Sequence, residues 1–508
     1  MTAPPYSAPA VKKSARHFLV GKAVTATLTF AILLTVVRLL PIEDYGVYVT
    51  AVAGLEFAIA LATAGFSWMA HRYIPEFRLC ATGFQTRRLI YRLFGLTTGV
   101  LVAMALMLLW SLYTWLDWAR LDAYEPVARI VILWLVVEGT WRFIRDAVLG
   151  PLLLQGLAQV SMVIRSGAML LFLAERAVSG SLALSDLVWA EVLVSAVAMS
   201  VTLGGLWPIL AGLNAGSGKV PWSEPGLLSM ARTGGHMFFA SLLALLYSPQ
   251  VFLLIVQRQL GTETAAAFGF LRSLYEQMGR YLPATLLFAV IRPKLVASSV
   301  GGLGPRDVNE NANLAGKLSL FVLMPVIAIA VVAGQDVVGL LSGEKFAPTG
   351  YLFAGLMLAL IPLSQQQLLE TLAVVTGNST LCVRAAIIGL VMPGILYGLI
   401  KAGLGLWAPV IALGAGHVLY NGAIVIGLVR RIDYRGDPLA FGKLMVAAIL
   451  ACAVASMVPA TDVLATGVAI RGVVAIGAFL VAAWLLKPFG GSEGDRLNRL
   501  LRWRWFVW

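Results

Sequence analysis

Apolar runs long enough to cross a bilayer recur along almost the whole chain, separated by short polar or basic connections. A helix needs about 20 apolar residues to span the hydrocarbon core. By that measure the pattern predicts fourteen transmembrane helices. Six fall near 19–40, 46–70, 89–112, 127–149, 158–175 and 187–210. Eight more fall near 235–256, 264–290, 318–341, 350–375, 381–400, 406–429, 440–458 and 465–486. The first two runs form a unit that recurs. Sliding the chain by 220 positions without gaps places Arg38 on Arg258, Glu43 on Glu263, Glu56 on Glu276 and Arg72 on Arg292. Phe18, Val36 and Leu40 fall on Phe238, Val256 and Leu260 in the same frame. Apolar segments always match at some positions by chance, so the four shared charges carry the repeat. They point to two copies of one membrane unit, the plan of transporters whose halves rock about a central site.

The fold class expected is therefore an all-α polytopic membrane protein of about fourteen transmembrane helices in two pseudo-symmetric lobes. Residues 1–18 form a cytoplasmic tail and 19–210 the first lobe, with helices one to six. A cytoplasmic linker over 211–234 leads to a second lobe over 235–429, with helices seven to twelve. The last two helices occupy 430–486, and 487–508 is a basic, aromatic cytoplasmic tail.

Composition sharpens this reading. Of 508 residues, 59% are hydrophobic and only 12% charged, and the mean hydropathy is +0.86. Soluble domains carry about 25% charged residues, so no soluble class fits. Cys80, Cys382 and Cys452 stand far apart, which argues against a disulfide framework or a zinc site. The net charge of +13 does not signal nucleic acid, because the basic residues lie between apolar runs. No cleavable leader is expected: Lys12, Lys13 and Arg16 precede a run too long for a signal peptide.

Charge also orients the chain. Connections after odd-numbered helices carry almost no Lys or Arg. Those after even-numbered helices are basic: Arg72, Arg78, Arg87 and Arg88; Arg292, Lys294, Arg306 and Lys317; Arg430, Arg431, Arg435 and Lys443. The positive-inside rule then puts both termini in the cytoplasm. In the central connection, Gly218-Lys219 imitates a phosphate loop, but Leu213 and Val220 stand where that loop needs Gly and Ser or Thr. With no nucleotide motif, transport energy is expected from an ion gradient or the substrate's own gradient. The tail, with Trp503, Trp505, Phe506 and Trp508 among four arginines, fits the headgroup region of the inner leaflet.

The informative residues are ionic groups inside apolar runs, where facing lipid costs about 2.5–3.5 kcal/mol each. Helix four carries Glu138, Arg142, Arg145 and Asp146 on one face, with Glu138–Arg142 and Arg142–Asp146 spaced i,i+4. Helix eight carries Arg272, Glu276 and Arg280, each four apart, and helix five adds Arg165. Helix two carries Glu56 on a face with Ala60, Thr63 and Ser67. Such pairs either lock helices together or line a cavity that accepts an anion, and the excess of arginine in both lobes favours the cavity. Lys22, Arg38 and Arg471 sit near run ends and can snorkel. Glu191 reads as a solvated group near an outer end, and His236 as structural. His417, Tyr420 and Asn421 share one face, as do Ser364, Gln367 and Thr371; either face can bind sugar hydroxyls or tie helices. Pro249, Pro283, Pro325, Pro362, Pro393 and Pro409 interrupt second-half runs, as suits helices that bend.

Two stretches carry a family resemblance. Leu40 to Tyr48 reads Leu-Pro-Ile-Glu-Asp-Tyr-Gly-Val-Tyr, and Ser342 to Pro348 reads Ser-Gly-Glu-Lys-Phe-Ala-Pro. With fourteen runs in two lobes, the chain resembles the polysaccharide-transporter branch of the MOP flippase superfamily, which contains the Wzx-type flippases of O-antigen and exopolysaccharide synthesis. The resemblance implies a non-enzymatic flippase that moves an undecaprenyl-diphosphate-linked oligosaccharide across the bacterial inner membrane for exopolysaccharide, O-antigen or capsule synthesis. It needs no cofactor. Its partners would be the lipid-linked oligosaccharide, a coupling proton or sodium ion, membrane lipids and polymerase or export machinery, with no nucleic acid. On the residues, Arg142, Arg145, Arg165, Arg272 and Arg280 are the candidates for holding the diphosphate. Glu56, Glu138, Asp146 and Glu276 are the candidates for ion coupling or for holding those arginines. A MATE-type multidrug antiporter is the main alternative, disfavoured by the arginines because many of its substrates are cations. A membrane-embedded polymerase or acyltransferase is a further one, disfavoured by short outer connections and the lack of a catalytic constellation.

Overall fold

The structure, a computed structural model, describes residues 8–213, 222–282, 305–459, 461, 463–491, 493–495 and 498. Arg292, Lys294, Pro283, the phosphate-loop look-alike beyond Leu213 and most of the aromatic tail lie outside the described residues, as does the expected end of helix eight beyond 282. The described residues are helical almost throughout and contain no strand. By contact the chain forms two compact units, Met1–Ala266 and Ala267–Trp508.

The first unit contains α1 (Ala8–Leu39), α2 (Ile42–Cys80), α3 (Gly83–Trp110), the short α4 (Leu112–Ala119) and α5 (Glu125–Phe143). It continues with α6 (Gln155–Ser179), α7 (Leu184–Ala211), α8 (Leu227–Leu246), α9 (Pro249–Leu260) and the start of α10 (Thr262–Tyr281). Local chemistry sets the breaks. Pro41 and Pro249 open helices where a missing N–H costs nothing. Thr82 and Gln85 close a reciprocal cap on α3, and Gly180 ends α6 in the left-handed conformation. In the first unit α8 and α9 pack on α2. Small residues permit that approach: a Cβ on Gly65 would lie 3.1 Å from the Gly234 carbonyl oxygen.

The second unit takes up the rest of α10, then α11 (Pro305–Ser342), α12 (Gly350–Val375), α13 (Thr380–Gly389) and α14 (Met392–Lys401). It ends with α15 (Trp407–Ile432), α16 (Pro438–Ser456) and α17 (Leu464–Leu486). Pro325 and Pro362 sit inside helices, and α11 is kinked at Ala333. Pro393 instead opens α14 after a break, and Pro409 sits in the first turn of α15. The Ser342–Pro348 stretch makes a turn with Gly343 and Glu344 both at positive φ. It buries Phe346 against Phe270, with ring centroids 5.6 Å apart.

Among the described residues, each of the fourteen expected runs falls wholly or in part on helix. Twelve helical segments among the described residues are long and apolar enough to cross a membrane. The two expected runs outside that set are α5 with its continuation and α10, the two helices richest in intramembrane charge. The 220-residue frame also holds locally, since α2 begins at Ile42 and α10 at Thr262.

Candidate functional site

The Leu40–Tyr48 stretch builds one side of the site. Gly46 leaves no room for a side chain, because a Cβ there would overlap the Thr262 backbone at the start of α10. Two residues on from that close packing, the Tyr48 hydroxyl donates to Glu191 Oε1 at 3.0 Å. On α5, Gly139 plays a similar part: a Cβ would meet Leu101 of α3 at 2.8 Å. Its neighbour Glu138 is thereby held in the interior, with a side chain only 2% exposed.

A continuous ionic chain follows. Arg142 Nε donates to Glu138 Oε1 at 2.6 Å, and Ser195 Oγ donates to Glu138 Oε2 at 2.6 Å. Arg165 lies 3.4 Å from that same oxygen and donates through Nη2 to Glu191 Oε2 at 2.6 Å. Helices α2, α5, α6 and α7 are thus joined by Tyr48–Glu191–Arg165–Glu138–Arg142. Trp141 supports the chain, donating from its indole to Thr202 at 3.2 Å, with Arg165 5.5 Å and Arg145 4.7 Å from its ring centre.

Positive and negative groups alternate, two arginines to two carboxylates. Burial of ions this deep costs several kcal/mol each unless they are paired and hydrogen-bonded, as these are. The expected surplus of arginine is therefore offset by Glu191, which is buried rather than solvated at an outer end. Capacity for an anion remains on Arg142. Its side chain is 31% exposed, and its two amino groups make no hydrogen bond among the described residues. Glu56 accepts Gln250 Nε2 at 3.1 Å and lies within electrostatic reach of Arg142.

Arg145 and Asp146 sit elsewhere. After Phe143 the helix widens into a π-turn, Ile144–Leu149, which rotates the following side chains off the α-helical register. The expected Arg142–Asp146 pair is replaced by a two-point contact between Arg145 and Asp146, both bonds 2.7 Å, with Asp146 62% exposed.

In the second unit the α10 ladder has the expected form. Arg272 Nε donates to Glu276 Oε1 at 2.7 Å and Arg280 Nη2 to Glu276 Oε2 at 3.3 Å. Arg272 is buried and Arg280 largely exposed. A second polar array links α10, α12 and α15. Tyr275 Oη lies 3.1 Å from His417 Nε2, and His417 Nδ1 lies 3.0 Å from Gln366 Oε1. Gln366 donates to Glu370 at 2.9 Å, and Tyr420 donates to the same Glu370 oxygen at 2.8 Å. Since the glutamine oxygen only accepts, His417 carries its proton on Nδ1 and accepts from Tyr275. Asn421 donates to the Pro362 carbonyl at 2.6 Å and borders a cavity of about 240 Å³ with Asn313, Gln365 and Tyr434.

Sequence reasoning found Glu138, Arg142, Arg165 and the α10 ladder, and it found the His417–Tyr420–Asn421 face. It passed over Tyr48, Ser195, Gln366 and Glu370. Tyr48 had a signal, being the last residue of the Leu40–Tyr48 motif. Arg471, expected to snorkel, pairs instead with Asp336 at 2.8 Å. Among the described residues no cluster of His, Cys, Asp and Glu is arranged to hold a metal ion.

A scan against models of known protein families finds no match, and a search of curated proteins finds none either. Solved structures do match. A structure of the lipid II flippase MurJ in an inward closed conformation aligns over 96% of this chain and 99% of its own, with TM-score 0.69 and 10% identity. An inward-facing multidrug resistance MATE family transporter of the MOP superfamily aligns over 80% of this chain and 94% of its own, with TM-score 0.57 and 14% identity. The Vibrio cholerae MATE transporter VcmN aligns over 84% and 99%, with TM-score 0.54 and 12% identity. The fold is MurJ- and MATE-like. At these identities the likeness is one of fold. The chain is a multi-pass membrane protein with this fold, and two of the expected runs are carried by charged rather than purely apolar helices.

Proposed function

We propose that the chain is a flippase for an oligosaccharide linked through a diphosphate to a polyprenyl lipid, working in the bacterial inner membrane with both termini in the cytoplasm. The observation that carries the reading is Arg142, an arginine inside the membrane region whose amino groups remain available beside a charge-balanced cluster. A guanidinium matches a phosphate bidentately and is always charged. The likeness of the whole chain to a lipid II flippase supports the same reading. In it Arg142 takes the diphosphate, with Arg272 and Arg280 as its counterparts in the second unit. Glu138, Glu191 and Glu276 hold the arginines in place, and Glu56 is the carboxylate assigned to the coupling ion. Arg145, tied to Asp146 at the π-turn, is left outside the site.

A multidrug antiporter is the second reading. The MATE-like fold and the even balance of charge around Arg165 favour it. A strain lacking the gene separates the two. Under the flippase reading it accumulates lipid-linked saccharide units and keeps its tolerance to lipophilic cations, which an arginine-lined cavity repels. Unchanged lipid pools with lost tolerance would establish the antiporter.

A further inference from the structure

Arg87, Arg88 and Arg92 lie on the first turns of α3 and line an open groove of about 550 Å³ with Phe84 and Tyr91. None of the three arginines makes a hydrogen bond or an ion pair among the described residues. Some basic side chains elsewhere do have partners: Arg78 on the Leu152 carbonyl, Arg129 on Glu125, Arg435 on Asp433. A carboxylate is at hand, but Gln85 holds Glu224 at 3.2 Å and none of the arginines does.

The face continues in apolar form. At about 100° per residue, Phe84, Arg88, Tyr91, Gly95, Val102 and Leu106 fall within about 60° of one another. Phe84, Tyr91, Val102 and Leu106 are exposed. A Cβ on Gly95 or Gly99 would meet nothing within 4 Å, so the stripe is hollow just beyond Tyr91. Tyr91 also packs 6.3 Å from Trp207 of α7, an aromatic pair of the kind found at headgroup depth. Three unpaired cations, an aromatic rim and an apolar trough in line have the order of a phospholipid: phosphate, glycerol, acyl chain.

We infer that this face of α3 is a binding site for an anionic phospholipid, its phosphate held by Arg87, Arg88 and Arg92 and one acyl chain lying over Gly95 and Gly99. Basic groups at an anionic membrane surface attract lipid headgroups, and the guanidinium fork suits a phosphate oxygen pair. A soluble acidic protein would use the arginines but would have no use for the trough. The site is separate from the Glu138–Arg165 cluster and does not depend on the transported substrate.

Native mass spectrometry of the full-length protein, taken from vesicles of phosphatidylglycerol and phosphatidylcholine in equal amounts, tests the inference. The wild type retains phosphatidylglycerol selectively. The triple variant Arg87→Gln, Arg88→Gln, Arg92→Gln loses that retention at least about tenfold, as expected from removing three headgroup contacts. Gly95→Leu with Gly99→Leu, which fills the trough without touching the charge, also weakens retention, and millimolar inorganic phosphate does not displace the lipid. Full retention by the triple variant at an unchanged melting temperature would overturn the site. Full retention by the leucine pair, or displacement by inorganic phosphate, would reduce it to a phosphate contact and overturn the lipid assignment. Should the triple variant not fold, the leucine pair and the phosphate competition decide.

Discussion

The two ionic arrays inside this protein are built differently. In the first unit the charges come from α5, α6 and α7, with Tyr48 of α2 completing the chain, and every carboxylate there answers an arginine from another turn or another helix. In the second unit the ladder Arg272–Glu276–Arg280 lies on one helix, with two arginines to one carboxylate. An array spread over several helices fixes their mutual positions, and breaking it exposes buried charge. The Arg272–Glu276 and Glu276–Arg280 pairs join neighbouring turns of α10, and the outer member, Arg280, stays largely exposed. Excess arginine in a sequence therefore signals a ligand site only after the buried carboxylates of neighbouring helices have been counted.

That difference can be broken most severely at Arg165. Arg165→Ala strands Glu191 and leaves Glu138 with one cation, and removing one partner of a buried pair costs about 3–5 kcal/mol. The expected result is a strongly lowered melting temperature in detergent and reduced abundance in the membrane. The double variant Arg165→Met, Glu191→Leu removes both charges of the pair and should recover much of the loss. If the single variant melts like the wild type, the cluster is not a lock.

Arg142 should behave in the opposite manner. Its partner Glu138 retains Ser195 and Arg165, so Arg142→Ala is expected at near-normal abundance with polymer export abolished. Arg142→Lys rescues poorly, because an ammonium offers a point charge in place of a bidentate fork. Export unaffected in the alanine variant, measured as surface polysaccharide, would remove Arg142 from the site.

Smaller effects belong to the exposed arms. Arg280 is 55% exposed, and pairs of that kind contribute about 0–1 kcal/mol. Arg280→Ala should leave the melting temperature nearly unchanged and lower transport only partially. Asp437 gives the smallest effect and a pH signature. Burial tends to raise its pKa, but the hydrogen bond from Lys317 and that from the Ala440 N–H prevail and hold it below the usual Asp range. Its contribution is therefore present at neutral pH and fades as the pH falls through that depressed value. Asp437→Asn is expected to destabilise slightly at pH 7, with the difference from wild type closing under acid in a melting series. A gap that widens in acid would reverse the sign and refute the assignment.

Much of this was legible in the sequence because bilayer thickness and hydropathy leave few options for apolar runs of this length. Where they are described, the fourteen runs lie largely on helices, and the α10 ladder forms as spaced. What escaped was set by tertiary geometry. Glu191 lies two turns into α7, at the level where Tyr48 and Arg165 meet, and its distance from the end of an apolar run does not reveal that. Asp146 pairs with an arginine, but with Arg145 in place of Arg142, because the π-turn over Ile144–Leu149 shifts side-chain direction in a way that i,i+4 spacing does not show. Gln366 and Glu370 escape because the sequence spacing points to Ser364, Gln367 and Thr371 as the polar face of α12. The side that meets His417 and Tyr420 lies next to it.

The most direct test of the central claim is a flipping assay with purified protein in liposomes. A fluorescent undecaprenyl-diphosphate oligosaccharide is placed in one leaflet, and its appearance in the other is followed by a membrane-impermeant quencher. The account predicts movement by the wild-type protein, loss of movement with Arg142→Ala at unchanged incorporation, and no transport of a lipophilic cation under the same ion gradient. Cation transport by the wild type, with no movement of the diphosphate lipid, would contradict it.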